Sequence, residues 1–274
     1  MKYYVQTTKY VAKNFIFLLP FAIIPALFLA FSLNQESILY IYETIKNGGW
    51  EIDFLHIFRA VSLFNFADGW TIFLGALGVI LLVPCIAMIM AFLEKHMRIG
   101  KRTLSGIFQK LNDNLLSTVL FIVLIALVYQ LWSLITSAVF YLFTLMDSAV
   151  LAYVLAGVFF LMSSFGLVYV LSVFYLWLPC LQLTGFRPAE ALRYSYFLVS
   201  PVRMGIVLSQ FITLVVFEIV ITLAVVLFSS WFISFIVAAA FYTIATMIFC
   251  VRMQVVYFDR AQIERADLRK NYFA

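Results

Sequence analysis

Residues 204–251 read MGIVLSQFITLVVFEIVITLAVVLF, then SS, then WFISFIVAAAFYTIATMIFCV: two apolar runs of 25 and 21 residues separated by a serine pair. A helix needs about 20 residues to cross a hydrocarbon core that is roughly 30 Å thick. Neither run alternates apolar and polar residues as the strands of a membrane β-barrel do. Because lipid offers no partner to backbone groups, the sequence predicts two consecutive transmembrane helices.

The same pattern extends across the rest of the chain. Of the 274 residues, 65% are hydrophobic and 11% are charged, whereas soluble domains have roughly 45–50% apolar and about 25% charged residues. Four further spans are predicted at residues 15–33, 70–93, 115–146 and 149–183. We therefore predict an all-α, polytopic integral membrane protein whose six transmembrane helices form one membrane domain over residues 1–274.

Two of these runs, 115–146 and 149–183, are longer than one crossing requires. Each helix must therefore tilt, project beyond the lipid or break. The cluster Ser163-Ser164-Phe165-Gly166 is the predicted kink site in the second of them.

The distribution of basic residues predicts the orientation. Of the 18 Lys and Arg residues, 16 lie before the first span or after the second, fourth and sixth, and only Lys46 and Arg59 lie on the other side. Since cytoplasmic segments are enriched in Lys and Arg, both termini are predicted to be cytoplasmic, in a bacterial cytoplasmic membrane. The net charge of +5 is thus interpreted as a topological signal, and no nucleic-acid partner is expected.

A cleaved signal peptide is the competing interpretation of residues 1–33. Its apolar part would be 19 residues long, against the roughly 7–15 residues of a typical signal peptide, and cleavage would leave five spans. We therefore expect residues 15–33 to form the first span.

The longest segment outside the spans, residues 34–68, predicts two amphipathic interfacial helices. The first runs from Glu36 to Lys46 and is ended by Asn47-Gly48-Gly49, and Asp53 can cap the second. Such helices lie on the membrane surface or cover the bundle. Simple packing over the helix ends and a lid over a binding site both remain open.

Two cytoplasmic elbows, residues 94–114 and 184–203, share a pattern. Residues 100–107 and 185–192 both read Gly-x-Arg-(Thr/Pro)-x-x-(Gly/Ala)-(Ile/Leu). Gly favours the end of a helix, and Thr or Pro favours the start of the next, so each elbow is predicted to contain a short helix. Four basic residues of these elbows are predicted to contact anionic lipid headgroups, namely Lys101, Arg102, Arg187 and Arg193.

The second elbow contains PAEALRYSYFL at residues 188–198, followed by Arg203. It resembles the elbow of a group of uncharacterised bacterial six-span membrane proteins, which are similar to the N-terminal membrane domain of some glycerophosphodiester phosphodiesterases. The pattern Pro-x-x-Ala-Leu-x-x-Ser-x-x-Leu is matched by Pro188, Ala191, Leu192, Ser195 and Leu198. The resemblance implies a six-span fold. It does not imply the phosphodiesterase activity, because the sequence has no counterpart of that catalytic domain.

Glu218 is the one acidic residue within a predicted span. An ionised carboxylate at mid-membrane costs about 2.5–3.5 kcal/mol, so we expect Glu218 to be protonated or paired and to face the bundle. Thr222 lies one turn further along, and Gln130 of the third span is positioned to hydrogen-bond to Glu218. Two interpretations follow: a proton or cation site of a transporter, or a neutral carboxylic acid that links two helices.

No motif for catalysis, metal binding or cofactor binding is found in the sequence. Cys85, Cys180 and Cys250 lack neighbouring His or carboxylate ligands and are expected to be buried thiols. We therefore expect a non-enzymatic membrane protein that acts through contacts with anionic membrane lipids or with a membrane or cytoplasmic protein partner. The alternative is a transporter or lipid-translocating protein that uses Glu218.

Overall fold

The computed structural model describes residues 2–102 and 104–268, and this part of the chain contains helices and no strand. The helices are α1 (Lys2–Ala30), α2 (Gln35–Lys46), α3 (Phe54–Val61), α4 (Gly69–Ile99), α5 (Ile107–Thr144), α6 (Ala149–Val173), α7 (Trp177–Thr184), α8 (Pro188–Val199), α9 (Arg203–Phe228) and α10 (Trp231–Arg260). Two short 3-10 turns, Ser200–Val202 and Ala266–Leu268, complete the described elements.

Six helical stretches within the described residues are long and apolar enough to cross a membrane, which confirms the six-span prediction. They are α1, α4, α5, α6 with α7, α8 with α9, and α10. Each span packs against the next one in the chain, and α1 packs against α10, so the bundle is a closed ring. Helix α4 also contacts α10 across the ring.

The two ends of the bundle differ. We call the end formed by the α4–α5 connection, α7, α8, the start of α1 and the end of α10 the basic face, and the end covered by residues 31–68 the loop face. The buried core is concentrated toward the basic face, where residues 85–97 of α4 and 250–258 of α10 are almost entirely buried. The halves of α5 and α6 nearer the loop face bury fewer side chains, whereas α9 buries Ile221, Ala224 and Val225 in its loop-face half.

Close packing of α1 on α4 depends on two small residues. A Cβ atom at Gly78 would lie 2.9 Å from the backbone nitrogen of Leu29, and one at Gly75 would clash with Ser32. Small residues at such positions let two membrane helices approach closely when no hydrophobic force acts between them.

The two long runs behave differently. Helix α5 is continuous over 38 residues, about 57 Å at 1.5 Å per residue, so it is longer than the hydrocarbon core. The fourth span breaks between α6 and α7, at residues 174–176. The predicted kink at Ser163-Ser164-Phe165-Gly166 is wrong, because α6 is helical there. Pro179 explains the actual position, since proline cannot bond to the carbonyl four residues earlier, at Tyr175.

The elbows are only partly as predicted. Gly100 (φ +80°) ends α4 and Gly185 (φ +68°) ends α7, and Pro188 is the first residue of α8, so the second elbow contains its short helix. The predicted short helix of the first elbow is wrong: Gly106 adopts φ +74°, and α5 begins directly after it. Thr103 lies outside the described residues.

Both predicted helices of residues 34–68 are present as α2 and α3, and they cover the bundle. Helix α3 packs on α5, and α2 packs on α3 and α9. The Trp50 indole donates to the Phe143 carbonyl at 2.8 Å, and the Tyr153 hydroxyl donates to the Gly49 carbonyl at 2.8 Å. The segment is thus attached to the ends of α5 and α6.

Candidate functional site

A cavity lies inside the ring, between α4, α5, α6, α9 and α10. Its volume is about 380 Å³, within the range of about 300–1,000 Å³ that is usual for ligand pockets. Its wall is predominantly apolar, and includes Ile86 of α4, Phe121 and Ile125 of α5, Leu167 and Leu171 of α6, Leu214 and Phe217 of α9, and Ile248 and Phe249 of α10.

Leu63, in the connection after α3, lines the cavity at its loop-face end. The Gln130 side chain holds this connection: its Oε1 accepts from the Ser62 hydroxyl at 3.2 Å and from the Leu63 backbone N–H at 3.3 Å. Its Nε2 also lies 3.0 Å from the Ser62 hydroxyl. The expected bond from Gln130 to Glu218 is therefore not formed, because Gln130 bonds to the covering segment.

Glu218 and Thr222 are exposed, because helix α9 is turned so that Ile221, Ala224 and Val225 are buried. Neither residue lines the cavity. Tyr129 of α5 and Tyr242 of α10 lie within electrostatic reach of the Glu218 carboxylate. That Glu218 is protonated or paired stays a prediction.

A cluster of polar groups lines the cavity at the end nearer the basic face. Arg252 of α10 lines the wall there and is only 2% exposed. Tyr175 lies within electrostatic reach of its guanidinium, and Gln210 of α9 lies beside Tyr175. The Arg252 Nε and Nη2 atoms are buried without hydrogen-bond partners in the described part of the chain, and Tyr175 and Gln210 have only each other there.

A second cavity of about 370 Å³ lies on the basic face, and Arg252 lines it as well. Its wall includes Lys2 and Tyr3 of α1, Ser200 beyond α8 and Ser209 of α9. Arg252 therefore lies where an apolar cavity within the bundle meets a more polar cavity at its end.

Sequence reasoning missed Arg252, because we counted it only among the charges that set the orientation. One signal was available. Arg252 is flanked by the apolar stretches 244–251 and 255–258, and the next charged residue is Asp259. A lone charge with such neighbours on both sides is more typical of a buried site than of a connecting segment.

The four residues predicted to contact lipid headgroups are all exposed on the basic face. Lys101 and Arg102 lie in the α4–α5 connection, Arg187 immediately precedes α8, and Arg193 is in α8. None of the four lines either cavity. Their exposure is what contact with a lipid surface requires, and that contact remains a prediction.

The three cysteines are buried and not disulfide-bonded. No group of three or more potential metal ligands occurs among residues 2–102 and 104–268.

No family model, curated protein or solved structure matches the chain. The resemblance to the six-span group is therefore neither supported nor contradicted by a relative, and the function must be argued from the two cavities.

Proposed function

We propose that the protein is a non-enzymatic integral membrane protein that acts through lipid contacts, by holding the hydrocarbon part of a lipid inside its helical bundle. The observation that carries this proposal is the apolar cavity of about 380 Å³ between five of the six spans. Apolar cavities exclude water and accept apolar ligands. In a membrane the abundant apolar ligand is a lipid chain.

The basic face supplies the second set of lipid contacts in this proposal. Lys101, Arg102, Arg187 and Arg193 interact with anionic headgroups of a bacterial cytoplasmic membrane, with both termini in the cytoplasm. Each such residue contributes about 1 kcal/mol near an anionic surface. Replacing all four by Gln should lower the proportion of anionic lipid that stays with the purified protein. An unchanged proportion would remove this part of the proposal.

The same face suits a membrane or cytoplasmic protein partner. Phe197 of α8 is 73% exposed and Tyr196 is 48% exposed beside the basic residues. Exposed aromatic side chains next to Arg are enriched at protein interfaces.

The test of cavity binding fills the cavity. Ala126 of α5 lines it, whereas the adjacent Leu127 is 64% exposed and does not line it. Ala126→Trp should therefore displace the bound chain, and Leu127→Trp is the matched control. Native mass spectrometry of the protein released from detergent would count the lipids retained by each variant.

The expected result is retained lipid in the wild type and in Leu127→Trp, with loss in Ala126→Trp. Retention of the same lipid by all three proteins would mean that it binds on the outer surface. Absence of lipid from all three would refute the proposed function.

A transporter or lipid-translocating protein is the second candidate. It is favoured by the meeting of the two cavities at Arg252, which joins the bundle interior to the basic face. Translocation of a fluorescent lipid across proteoliposomes tests it, with Glu218→Gln compared with wild type. Rates equal to those of protein-free vesicles would exclude it, and an unchanged rate in Glu218→Gln would exclude a role for the carboxyl group.

A further inference from the structure

We infer that Arg252 binds the anionic headgroup of the lipid whose chain occupies the cavity, so that the site selects anionic over zwitterionic lipids. This inference rests on the proposed function and adds the ligand's charge, its orientation and the residue that recognises it. The headgroup lies at Arg252, where the two cavities meet, and the chain extends into the bundle.

The first step is the state of Arg252. Its side chain is 2% exposed, and two of its three guanidinium nitrogens find no hydrogen-bond partner in the described part of the chain. A buried charge without a partner is strongly unfavourable. Many buried ionisable groups avoid this cost by becoming neutral, but arginine stays charged in proteins. An anion must therefore compensate it.

Among the described residues, no carboxylate forms an ion pair with Arg252. Of the carboxylates on the basic face, Glu94 pairs with Arg98 and Lys110, Asp259 with Lys2, and Asp267 with Arg265. The uncharged side chains that line the cavities with Arg252 include those of Tyr175, Gln210 and Ser209. The compensating charge must come from a ligand.

These neutral neighbours are suited to the same ligand. The Ser209 hydroxyl is buried without a partner in the described residues, and the Tyr175 hydroxyl and the Gln210 amide, which lie beside each other, have no other partner there. All three groups can donate hydrogen bonds. A phosphate offers several acceptor oxygens, and charge-assisted bonds to guanidinium are the strongest of their kind. One phosphate group would thus satisfy donors from α9, α10 and the α6–α7 break together.

The depth of Arg252 identifies the ligand as a lipid. Arg252 lies 21 residues after Trp231, the first residue of α10, which is about 32 Å along the helix axis. This is close to the roughly 30 Å thickness of the hydrocarbon core, so the guanidinium lies at headgroup level. The apolar cavity begins on the membrane side of that level and the more polar cavity lies beyond it. A free phosphate would use only the second of these.

The test measures lipid selectivity. Wild type, Arg252→Gln and Arg252→Lys are compared in detergent by native mass spectrometry, with phosphatidylglycerol and phosphatidylcholine of identical chains. Arg98→Gln is the control, because it removes an exposed charge from the same face. Arg252→Gln should lower the preference for phosphatidylglycerol by roughly tenfold or more, as expected for losing a hydrogen-bonded charge, and Arg252→Lys should lower it less.

The remaining arms separate the possible outcomes. If Arg252→Gln does not fold, Tyr175→Phe and Gln210→Leu test the same headgroup contacts with small changes of shape, and each should weaken the preference. Inorganic phosphate is tested on the same variants. If it binds equally tightly to wild type and Ala126→Trp and does not bind to Arg252→Gln, the proposal that the ligand is a lipid is overturned and a free anion is indicated. Lipid that binds with no charge preference, or with a preference unchanged in Arg252→Gln, would overturn this inference and leave the proposed function intact. Absence of any lipid refutes both.

Discussion

The contact of Gln130 with the segment that covers the cavity gives the most direct test of how the cavity is closed. Replacing Gln130 by Leu keeps the size of the side chain and removes its bonds to Ser62 and Leu63, which are 3.0 to 3.3 Å long. Because the lost bonds are few and relatively long, at about 1 kcal/mol each, we expect the closed position of this segment to lose about 1–2 kcal/mol.

That loss corresponds to an increase of roughly 5- to 30-fold in the population of the open segment. Hydrogen–deuterium exchange of residues 50–66 should accelerate by this factor, since local opening governs amide exchange. Gln182→Leu is the matched control. Gln182 donates one bond to Thr118 at 3.1 Å, and Thr118 is far along α5 from the Gln130 contact. Its substitution should leave residues 50–66 unchanged.

The reasoning would be refuted if exchange at Leu63 were equal in wild type and Gln130→Leu. That result would mean that the other contacts of the segment with α5 and α6 keep it in place, among them the bond of the Tyr129 hydroxyl to the Val61 carbonyl. Slower exchange upon addition of lipid, in the wild type only, would further link closure to occupancy of the cavity.

Three further predictions concern stability. Gly78→Ala should lower the free energy of unfolding by about 1–3 kcal/mol, because the added methyl group overpacks the contact between α1 and α4. Gly166→Ala is the control and should be neutral or slightly stabilising, since a Cβ at Gly166 meets nothing within 4 Å. Equal melting temperatures of the two variants would contradict this. Asp68→Ala should lower the melting temperature, because the Asp68 carboxylate accepts a hydrogen bond from the Thr71 backbone N–H at 2.7 Å. This bond lowers the pKa of Asp68, so the stability it contributes is present above the ordinary carboxyl pKa and is lost as the pH falls through the lowered pKa. The melting temperatures of the wild type and Asp68→Ala should therefore converge in acid. Glu94→Gln should destabilise by about 1 kcal/mol, since its carboxylate is 8% exposed but both basic partners are nearly half exposed; a loss that does not diminish in high salt would argue against an electrostatic origin.

The spans were predictable from the sequence because each requires about 20 consecutive apolar residues, whatever its neighbours are. The C-terminal end of α2 was predictable from Asn47-Gly48-Gly49, and α3 begins directly after Asp53 as predicted, although the Asp53 side chain makes no capping hydrogen bond. The break before α7 was not predicted. Its cause, Pro179, removes a bond to the carbonyl of a residue one turn earlier, whereas the prediction rested on the serine and glycine residues at 163–166. The position of such a break is a local effect, and it can be predicted from the sequence by asking which carbonyl each proline leaves without a partner.

The site was less predictable, for a different reason. Depth in the membrane follows from position along a span, and the depths inferred for Glu218, Gln130 and Arg252 stay predictions. The direction of each side chain depends on how the helices are rotated against one another, which is a property of the packed bundle. Rotation leaves Glu218 exposed, turns Gln130 toward the covering segment and buries Arg252.

The basic residues of the basic face differ in their surroundings. Lys2, Arg98, Lys110 and Arg265 are paired with acidic side chains. Lys95 and Arg260 donate to backbone carbonyls, and Arg203 lies over the rings of Tyr169 and Tyr196. Arg252 is buried and forms no ion pair among the described residues. Orientation by the positive-inside rule needs basic residues near the span ends and gives no reason to bury one of them. Removing Arg252 alone leaves 15 of the 16 basic residues on that side, so Arg252→Gln should keep the topology while losing headgroup selectivity. A single substitution thus separates the charge that orients the protein from the charge that we propose binds its ligand.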